Sequence, residues 1–222
     1  IKQFSMYFVR LRLRLFLCVI GFICVNSETT MDDEKDPVTC GSLIKLRHIN
    51  SNFHLHSHGV SWGTGSGQQS VTGYAGDNDN NDLWQVKGEF KKGSADMCLQ
   101  GTPVKCGQSI RLEHIQTNNF LHSHLHRSPI SSNQEVSCFS PSDSGDNWIV
   151  VCKSKIWRRD APVKFKHADT DQYLYTNVNN VFDRQNCGGN CPIGGQLEVA
   201  CHSKSTANGN WKTDQGIYFP AN

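Results

Sequence analysis

Apolar and polar side chains alternate with a period of two in three separate segments of the chain. Ile44, Leu46 and His48 share one face of the first segment, and Lys45 and Arg47 share the other. The alternation returns at two later places: Ile110, Leu112 and His114, then Val163, Phe165 and His167. Successive side chains of a strand point to opposite faces, so the pattern predicts β-strands with one buried and one exposed face. Lys45, on the exposed face, is expected to tolerate replacement by alanine.

These segments belong to an internal repeat. Cys40–His48 returns as Cys106–His114, 66 positions later, and the same offset carries Leu55–His58 onto Leu121–His124. A third and weaker copy, displaced by a further 53 positions, contains Tyr173–Asn177. Each copy continues into a glutamine and a β-branched strand and closes on a tryptophan: Gln69, Gln134 and Gln196, then Trp84, Trp148 and Trp211.

Triplication decides the predicted fold. One copy cannot bury its apolar face alone, whereas three copies about a pseudo-threefold axis can join their inner strands into a barrel. The linking segments are rich in Gly, Ser, Asn and Asp, and we expect about four short strands per copy. A seven-stranded sandwich is the alternative, but it does not explain triplication. We therefore predict an all-β fold, a β-trefoil over residues 37–222 with repeats at about 38–97, 98–156 and 157–219. Leu55, Leu121, Leu174 and the three tryptophans would be equivalent core positions.

The N-terminal segment has the composition of a secretory signal peptide. Three arginines precede an uninterrupted apolar run of eleven residues, Leu15–Val25. This run is too short to span a bilayer but fits the apolar region of a signal peptide. We expect a signal peptide over residues 1–27 that starts at Met6 and is cleaved after Ser27, with a short membrane anchor as the alternative.

Removing this segment changes the charge. Residues 1–27 hold four basic and no acidic residues, so the formal net charge shifts from +2 to −2. This balance disfavours nucleic-acid and anionic-membrane partners. We expect an acidic linker over residues 28–36 and no membrane span after cleavage. Eight cysteines remain, and an even number in an oxidising compartment favours disulfides over catalytic thiols.

Several strings of the sequence resemble the stromal cell-derived factor 2-like proteins. They are Val38–Ser42, Leu55–His58, Gly65–Gly73, Leu121–His124, Asn133–Val136, Trp157–Asp160 and Gly216–Phe219. The resemblance covers roughly residues 36–219. These proteins consist of three MIR motifs, which protein O-mannosyltransferases and intracellular calcium-release channels also contain. The resemblance therefore implies a MIR β-trefoil.

The resemblance also implies a location and a function. It points to the endoplasmic reticulum lumen and to work with Hsp40- and Hsp70-type chaperones in glycoprotein quality control. We expect a monomeric, non-enzymatic adaptor or co-chaperone whose partners are luminal chaperones and client polypeptides or glycans. A carbohydrate-binding module linked to protein O-mannosylation is the alternative, and a secreted structural protein is a third class. Many animal members end in a Lys/His-Asp-Glu-Leu retrieval signal, whereas this sequence ends at Phe219–Asn222, so secretion stays open.

The same resemblance singles out four cysteines as the usual framework set: Cys40, Cys98, Cys106 and Cys152. The repeat motivates the hypothesis that Cys40 pairs with Cys98 and Cys106 with Cys152. The remaining four are additional to the usual set: Cys138, Cys187, Cys191 and Cys201. Their pairing stays open, because eight cysteines allow on the order of 100 pairings.

Alternating histidines raise the question of a metal site: His54, His56 and His58, then His122, His124 and His126. Zinc needs four ligands, or three with an open position, but the third copy carries Tyr175 and Asn177 at the equivalent places. We therefore predict no metal and no cofactor. A histidine that recurs in all three copies ends a core strand and is expected to bond backbone groups where the barrel meets a turn: His48, His114 and His167.

Catalysis lacks support in the sequence. It contains no G-x-S-x-G elbow, no P-loop and no G-x-G-x-x-G motif between a strand and a helix. Acidic pairs such as Asp77 and Asp79 lie in polar segments with nothing apolar to raise a pKa. Glycosidase chemistry would need two positioned carboxylates across a sugar cleft. We expect no catalytic residues and no enzymatic activity.

Binding is the remaining class. The candidate ligand-binding residues lie on the second hairpin of the first two copies: His56, His58, Gln69, His122, His124 and Gln134. They lie beside aromatics such as Trp62 and Tyr74, a combination that suits sugar hydroxyls or an extended peptide. The alternative is that they only tie the hairpins together. An exposed surface predicts that replacing His56 and His122 by alanine leaves the melting temperature almost unchanged.

Overall fold

A computed structural model of the chain describes residues 36–221. The predicted signal peptide, and the predicted acidic linker apart from Asp36, lie outside the described residues. Within residues 36–221, no helix is long and apolar enough to cross a bilayer.

The described residues form twelve strands and three single-turn 3-10 helices, with four strands in each copy as predicted. The strands of the first copy are β1 (Leu43–His48), β2 (His54–Ser61), β3 (Gln69–Tyr74) and β4 (Trp84–Gly88). Those of the second copy are β5 (Ser109–His114), β6 (Asn119–Arg127), β7 (Gln134–Phe139) and β8 (Trp148–Val151). Those of the third copy are β9 (Lys164–His167), β10 (Tyr173–Val181), β11 (Leu197–His202) and β12 (Trp211–Ile217). The 3-10 helices are Asn80–Asp82, Ser144–Asp146 and Ala207–Gly209.

Six of these strands close into a barrel. They pair antiparallel in the order β12, β1, β4, β5, β8 and β9, and a bridge between Val163 and Trp211 completes the ring. The other six form the hairpins β2–β3, β6–β7 and β10–β11, and β3, β7 and β11 pair with one another. This barrel and its triplet of hairpins make the predicted β-trefoil.

The core follows the repeat. The three tryptophans that open the last strand of each copy are fully buried, as are Leu55, Leu121 and Leu174. Each indole Nε1 donates to the carbonyl oxygen of the leucine in its own copy: Trp84 to Leu55 at 2.9 Å, Trp148 to Leu121 at 2.8 Å, and Trp211 to Leu174 at 3.3 Å. The prediction of equivalent core positions is confirmed.

The predicted exposed face of the barrel strands is wrong at two residues. Lys45 and Arg111 are both buried. The Nζ of Lys45 donates to the carbonyl oxygen of Asp77 at 3.0 Å and lies 3.8 Å from the carboxylate of Asp82. The Nε of Arg111 donates to the carbonyl oxygen of Gly88 at 2.6 Å. The segment after β3 supplies Asp77 and Asp82 as partners of Lys45, and the segment after β4 supplies Asp96, which lies 3.3 Å from Arg111. At these two positions both faces of the strand are therefore buried.

Disulfides connect the ends of the copies. Cys40 is bonded to Cys98 and Cys106 to Cys152, the two pairs that the repeat suggested. A further bond joins Cys187 to Cys191 within the β10–β11 loop. Among the described cysteines, Cys138 and Cys201 are free and buried.

Candidate functional site

All six candidate binding residues lie in the hairpin cap, which we define as β2–β3, β6–β7 and β10–β11 with their loops. His56 and His58 are on β2 and Gln69 on β3, while the second copy places His122 and His124 on β6 and Gln134 on β7. The structure therefore brings them together as two groups of three, one for each of the first two copies.

The glutamines join neighbouring copies. The Nε2 of Gln69 donates to the hydroxyl of Ser57 at 2.7 Å and to that of Thr117, in the second copy, at 3.0 Å. Its Oε1 accepts from the Nδ2 of Asn119 at 2.7 Å. Both the nitrogen and the oxygen of the Gln69 amide are therefore hydrogen-bonded within the protein, and Gln69 connects the first copy to the second.

Gln134 occupies the same place one copy later. Its Nε2 donates to the hydroxyls of Ser123 at 2.8 Å and Thr170 at 2.9 Å. Its Oε1 is buried and has no hydrogen-bond partner among the described residues. This amide braces the second copy to the third.

The third copy has no such glutamine. Ser57 lies opposite Val71, Ser123 opposite Val136 and Thr176 opposite Val199. The residue two positions before each valine is Gln69, Gln134 and Leu197. Gln196 lies one residue before Leu197, and its Oε1 accepts from the hydroxyl of Thr72. The glutamine of the third copy, Gln196, therefore does not take the structural place of Gln69 and Gln134.

The histidines at the ends of the barrel strands bond as predicted. Each Nε2 lies at hydrogen-bond distance from a backbone carbonyl oxygen of another copy's 3-10 turn: His48 from Asn208 at 3.0 Å, His114 from Asn81 at 2.9 Å, and His167 from Gly145 at 2.9 Å. Each Nδ1 faces a hydroxyl at 2.8–2.9 Å, from Ser51, Thr117 and Thr170 respectively. Burial lowers the pKa of all three imidazoles, and that of His114 to about 4.

The first histidine of each candidate pair is buried against an aspartate. The Nδ1 of His56 lies 2.9 Å from Oδ1 of Asp82, and the Nδ1 of His122 lies 2.9 Å from Oδ1 of Asp146. His56 and His122 are 4% and 5% exposed, and both aspartates are fully buried. The predicted exposed surface is therefore wrong at His56 and His122, because the 3-10 turns fold back over them.

The second histidine of each pair reaches nearer the surface. The Nε2 of His124 lies 2.9 Å from Oε1 of the buried Glu135. Burial alone would raise the pKa of Glu135, but hydrogen bonds from His124 and Ser66 lower it below its ordinary value. Burial and the neighbouring His56 lower the pKa of His58. The Nε2 of His58 has no hydrogen-bond partner within residues 36–221.

The two aromatics differ in what they offer a ligand. Tyr74 is half-buried and packs against His56, with ring centroids 4.8 Å apart. Trp62 is only 5% exposed and packs with Phe182 and Ile193 in a small second apolar cluster where the hairpin loops meet. The Nε1 of Trp62 donates to the carbonyl oxygen of Val136 at 3.0 Å. Trp62 is therefore part of the cap's interior and presents no free face to a sugar ring.

A cleft of about 520 Å³ opens beside the second group. Its lining includes His122, His124, Phe139, Asp143 and Asp169. These side chains offer hydrogen-bond donors and acceptors next to an aromatic ring, which suits a polar ligand such as a sugar or a peptide.

Three potential metal ligands lie close together at the edge of this cleft, since the side-chain ligand atoms of His122, Asp143 and the buried Asp146 lie within 4.8 Å of one another. Local bonds already use both carboxylates. Asp143 caps the turn through the backbone N–H of Gly145 at 2.8 Å, and Oδ2 of Asp146 accepts from the hydroxyl of Ser142 at 2.6 Å. The geometry thus fits a helix cap that carries a histidine. The absence of a metal stays a prediction.

The acidic partners of the histidines were missed in the sequence. A signal for them existed: an Asp-x-x-Asp string precedes the closing tryptophan in the first two copies, as Asp79–Asp82 before Trp84 and Asp143–Asp146 before Trp148. In the third copy the equivalent turn begins at Thr206 and contains no acidic residue. This loss accompanies the change from histidine to Tyr175.

The chain is similar to known proteins over most of its length. Residues 53–156 match the MIR domain family. The chain is 45% identical to the stromal cell-derived factor 2-like protein of Dictyostelium discoideum, over 92% of this chain and 95% of the relative. It is 44% identical to stromal cell-derived factor 2 of Homo sapiens, over 82% of each chain.

Solved structures agree with these relatives. The crystal structure of the SDF2-like protein from Arabidopsis thaliana matches with a TM-score of 0.75 and 43% identity, covering 84% of this chain and 99% of that one. The protein O-mannosyltransferase Pmt1–Pmt2 complex of S. cerevisiae, bound to the sugar donor, matches with a TM-score of 0.66 and 26% identity. That match covers 82% of this chain and 26% of the other.

Proposed function

The chain belongs to the stromal cell-derived factor 2 family of MIR-domain proteins, and from this premise we propose that it is a non-enzymatic adaptor of the endoplasmic reticulum lumen. It acts as a co-chaperone with Hsp40- and Hsp70-type chaperones in protein folding and glycoprotein quality control. The observation that carries the proposal is the 45% identity to a stromal cell-derived factor 2-like protein over 92% of this chain. The similarity extends over nearly the whole chain and over 95% of the relative, so it supports a shared role for the complete domain.

The chemistry of the cap supports a binding role over a catalytic one. His56 and His122 are buried and face Asp82 and Asp146, which hold the rings in the folded cap. Burial raises the pKa of the Cys138 and Cys201 thiols to about 12, so neither supplies a thiolate near neutral pH. A nucleophile must be activated and accessible to a substrate, and these groups are not.

A carbohydrate-binding module linked to protein O-mannosylation is the second candidate. The observation that favours it is the match to the Pmt1–Pmt2 complex, at 26% identity over 82% of this chain. The cleft beside His122 and Phe139 is the place in the cap where a sugar would fit best.

One experiment distinguishes the two functions. The tagged protein is purified from microsomes, with and without prior crosslinking, and the captured proteins are identified by mass spectrometry. The same preparation is tested on an array of high-mannose and O-mannosyl glycans. Enrichment of Hsp40- and Hsp70-type chaperones without glycan binding supports the adaptor, and glycan binding without those chaperones supports the second candidate. The Val178→Ser variant, changed at a 51% exposed apolar residue of the cap that does not line this cleft, controls for nonspecific capture.

A further inference from the structure

A groove with a basic rim lies outside the hairpin cap, between the end of β8, the start of β9 and the segment before β12. It encloses about 610 Å³. Its apolar lining includes Val151, Ala161 and Pro162, and its cations are Lys153, Arg158 and Lys164. We name it the basic groove.

The cations of the basic groove lack acidic partners. No carboxylate oxygen of the described residues lies within 4.0 Å of Lys153, Arg158 or Lys164. Two cations on other barrel strands do have acidic partners: Arg47 lies 2.7 Å from Asp214, and Lys87 lies 3.4 Å from Glu113. Three positive charges at one groove without a carboxylate create a local positive potential, although the formal charge of residues 28–222 is negative.

Neutral groups hold one of these charges in place. The Nζ of Lys164 donates to the hydroxyl of Ser205 at 2.8 Å and to the carbonyl oxygen of Thr206 at 2.7 Å. An ammonium bonded only to neutral acceptors keeps its full charge for a third partner, and its position is fixed in advance.

The walls of the basic groove are anchored as well. Cys152 is bonded to Cys106 at one side. At the other, the backbone N–H of Val38 donates to the carbonyl oxygen of Trp157 at 2.9 Å, and that of Arg159 donates to the carbonyl oxygen of Asp36 at 3.0 Å. Binding there would not need to order a loose segment, which lowers its entropic cost.

We propose that the basic groove binds an acidic peptide segment of a partner protein, with an apolar side chain of the peptide against Val151 and Pro162 and its carboxylates beside Lys153, Arg158 and Lys164. A free inorganic anion has no use for the apolar walls. The lining carries no aromatic ring on which a nucleic-acid base could stack. An acidic peptide with a leucine-like residue matches both the charges and the walls.

The test uses fluorescence anisotropy with the chain from residue 28 to residue 222 and a labelled peptide, Asp-Asp-Leu-Glu-Asp-Leu. The matched control peptide replaces each acid by its amide, as Asn-Asn-Leu-Gln-Asn-Leu. We expect the acidic peptide to bind, the amide peptide to bind at least about tenfold more weakly, and binding to weaken between low and high salt. Charge reversal by Lys153→Glu or by Arg158→Glu should weaken binding about tenfold each.

The control variant is Lys92→Glu, which makes the same change in net charge at an exposed lysine outside the groove. It should change the affinity by less than about twofold. Equal loss in this control, equal binding of the amide peptide, or no binding of the acidic peptide would each overturn the proposal. A gain in affinity when residues 28–35 are deleted would assign the groove to this chain's own acidic segment instead of a partner, and would overturn it too.

Discussion

The indole of Trp84 packs against the imidazole of His114, with ring centroids 5.0 Å apart, although the two residues belong to different copies of the repeat. The same pair recurs as Trp148 with His167 at 5.0 Å and as Trp211 with His48 at 5.1 Å. Each tryptophan therefore meets the histidine of the following copy, and the third copy meets the first. This cycle closes the trefoil, and it places three imidazoles where a charge is costly.

The buried histidines make stability depend on pH. The pKa of His114 is lowered from 6.5 to about 4 by burial, and burial also lowers the pKa of His48 and His167. The unfolded chain therefore binds protons first as the pH falls. The contribution of His114 to stability is fully present above pH 6.5 and is lost as the pH falls toward 4, by up to about 1.4 kcal/mol per pH unit, and His48 and His167 act in the same direction. Urea unfolding at pH 7 and at pH 5 measures this difference in the free energy of unfolding.

Replacing His114 isolates the contribution of one buried histidine to this pH dependence. His114→Gln removes the titrating ring, so the variant should be less stable at pH 7 but should lose less stability between pH 7 and pH 5. His126→Gln, at an exposed histidine, should keep the slope of the unmodified protein. Equal slopes in all three proteins would mean that His114 is not held neutral.

Removing the buried Lys45 should destabilise the fold more than removing a half-exposed lysine. Asp82 is fully buried, and Lys45 is the lysine nearest to its carboxylate. Removing one partner of a buried ion pair leaves an uncompensated charge, so Lys45→Ala should cost about 3–5 kcal/mol. Lys87→Ala breaks the more exposed pair with Glu113 and should cost less than about 1 kcal/mol. Similar costs in urea unfolding would contradict the burial of Lys45.

Lys45 and Leu112 show which features of the fold could be predicted from the sequence and which could not. Alternation placed Leu112 correctly in the core, because the period of a strand depends only on its backbone. Alternation could not place Lys45, because the cover over its face comes from the Asn80–Asp82 turn, and no local pattern shows which strand a turn will fold against. The strand was predictable, and the burial of its outer face was not.

The candidate site was predictable to a similar degree. The sequence repeat predicted that His56 and His122 occupy equivalent places. The structure confirms this, because each lies at the same distance from its aspartate, Asp82 or Asp146. Their burial depends on these long-range partners. A glutamine beside a β-branched strand recurs in the third copy as Gln196, but the pairing of Thr176 with Val199 shows that Leu197 takes the place of Gln69 and Gln134.

The core assignment has a matched test. Leu112 is fully buried and Leu125 is 84% exposed, so the same substitution probes both environments. Leu112→Ala should cost about 2–5 kcal/mol, because the barrel cannot fill the space that the side chain leaves. Leu125→Ala should change the free energy of unfolding by less than about 0.5 kcal/mol. Equal effects in urea melts would contradict the burial of Leu112 in the core.

The stability lost on removing a disulfide should increase with the length of the loop that the disulfide closes. The bond between Cys106 and Cys152 spans 46 residues, and that between Cys187 and Cys191 spans 4. Loop-closure entropy predicts losses of about 4 and about 2 kcal/mol when the cysteines of each pair are replaced by alanine. Thermal unfolding of the two double variants checks the order. A larger loss from Cys187→Ala with Cys191→Ala would mean that this bond mainly holds the apolar cluster of Trp62 and Phe182.

The last prediction asks whether the cap histidines recognise a ligand or hold the fold. His56→Ala with His122→Ala removes two buried rings and leaves Asp82 and Asp146 short of a partner. Each unsatisfied group should cost about 1–3 kcal/mol, so we expect a clear fall in melting temperature, contrary to the expectation from sequence.

Loss of ligand capture in that double variant would therefore say little about recognition. Asp169→Asn gives the sharper test of recognition. Asp169 is exposed and lines the cleft beside His122 and Phe139, so its replacement should leave the melting temperature unchanged. Capture of chaperones or glycans that falls in Asp169→Asn, with an unchanged melt, places the recognition surface in this cleft. An unchanged melt in the double histidine variant would contradict the structural role of His56 and His122, because a buried ring bonded to a buried carboxylate cannot be removed without cost.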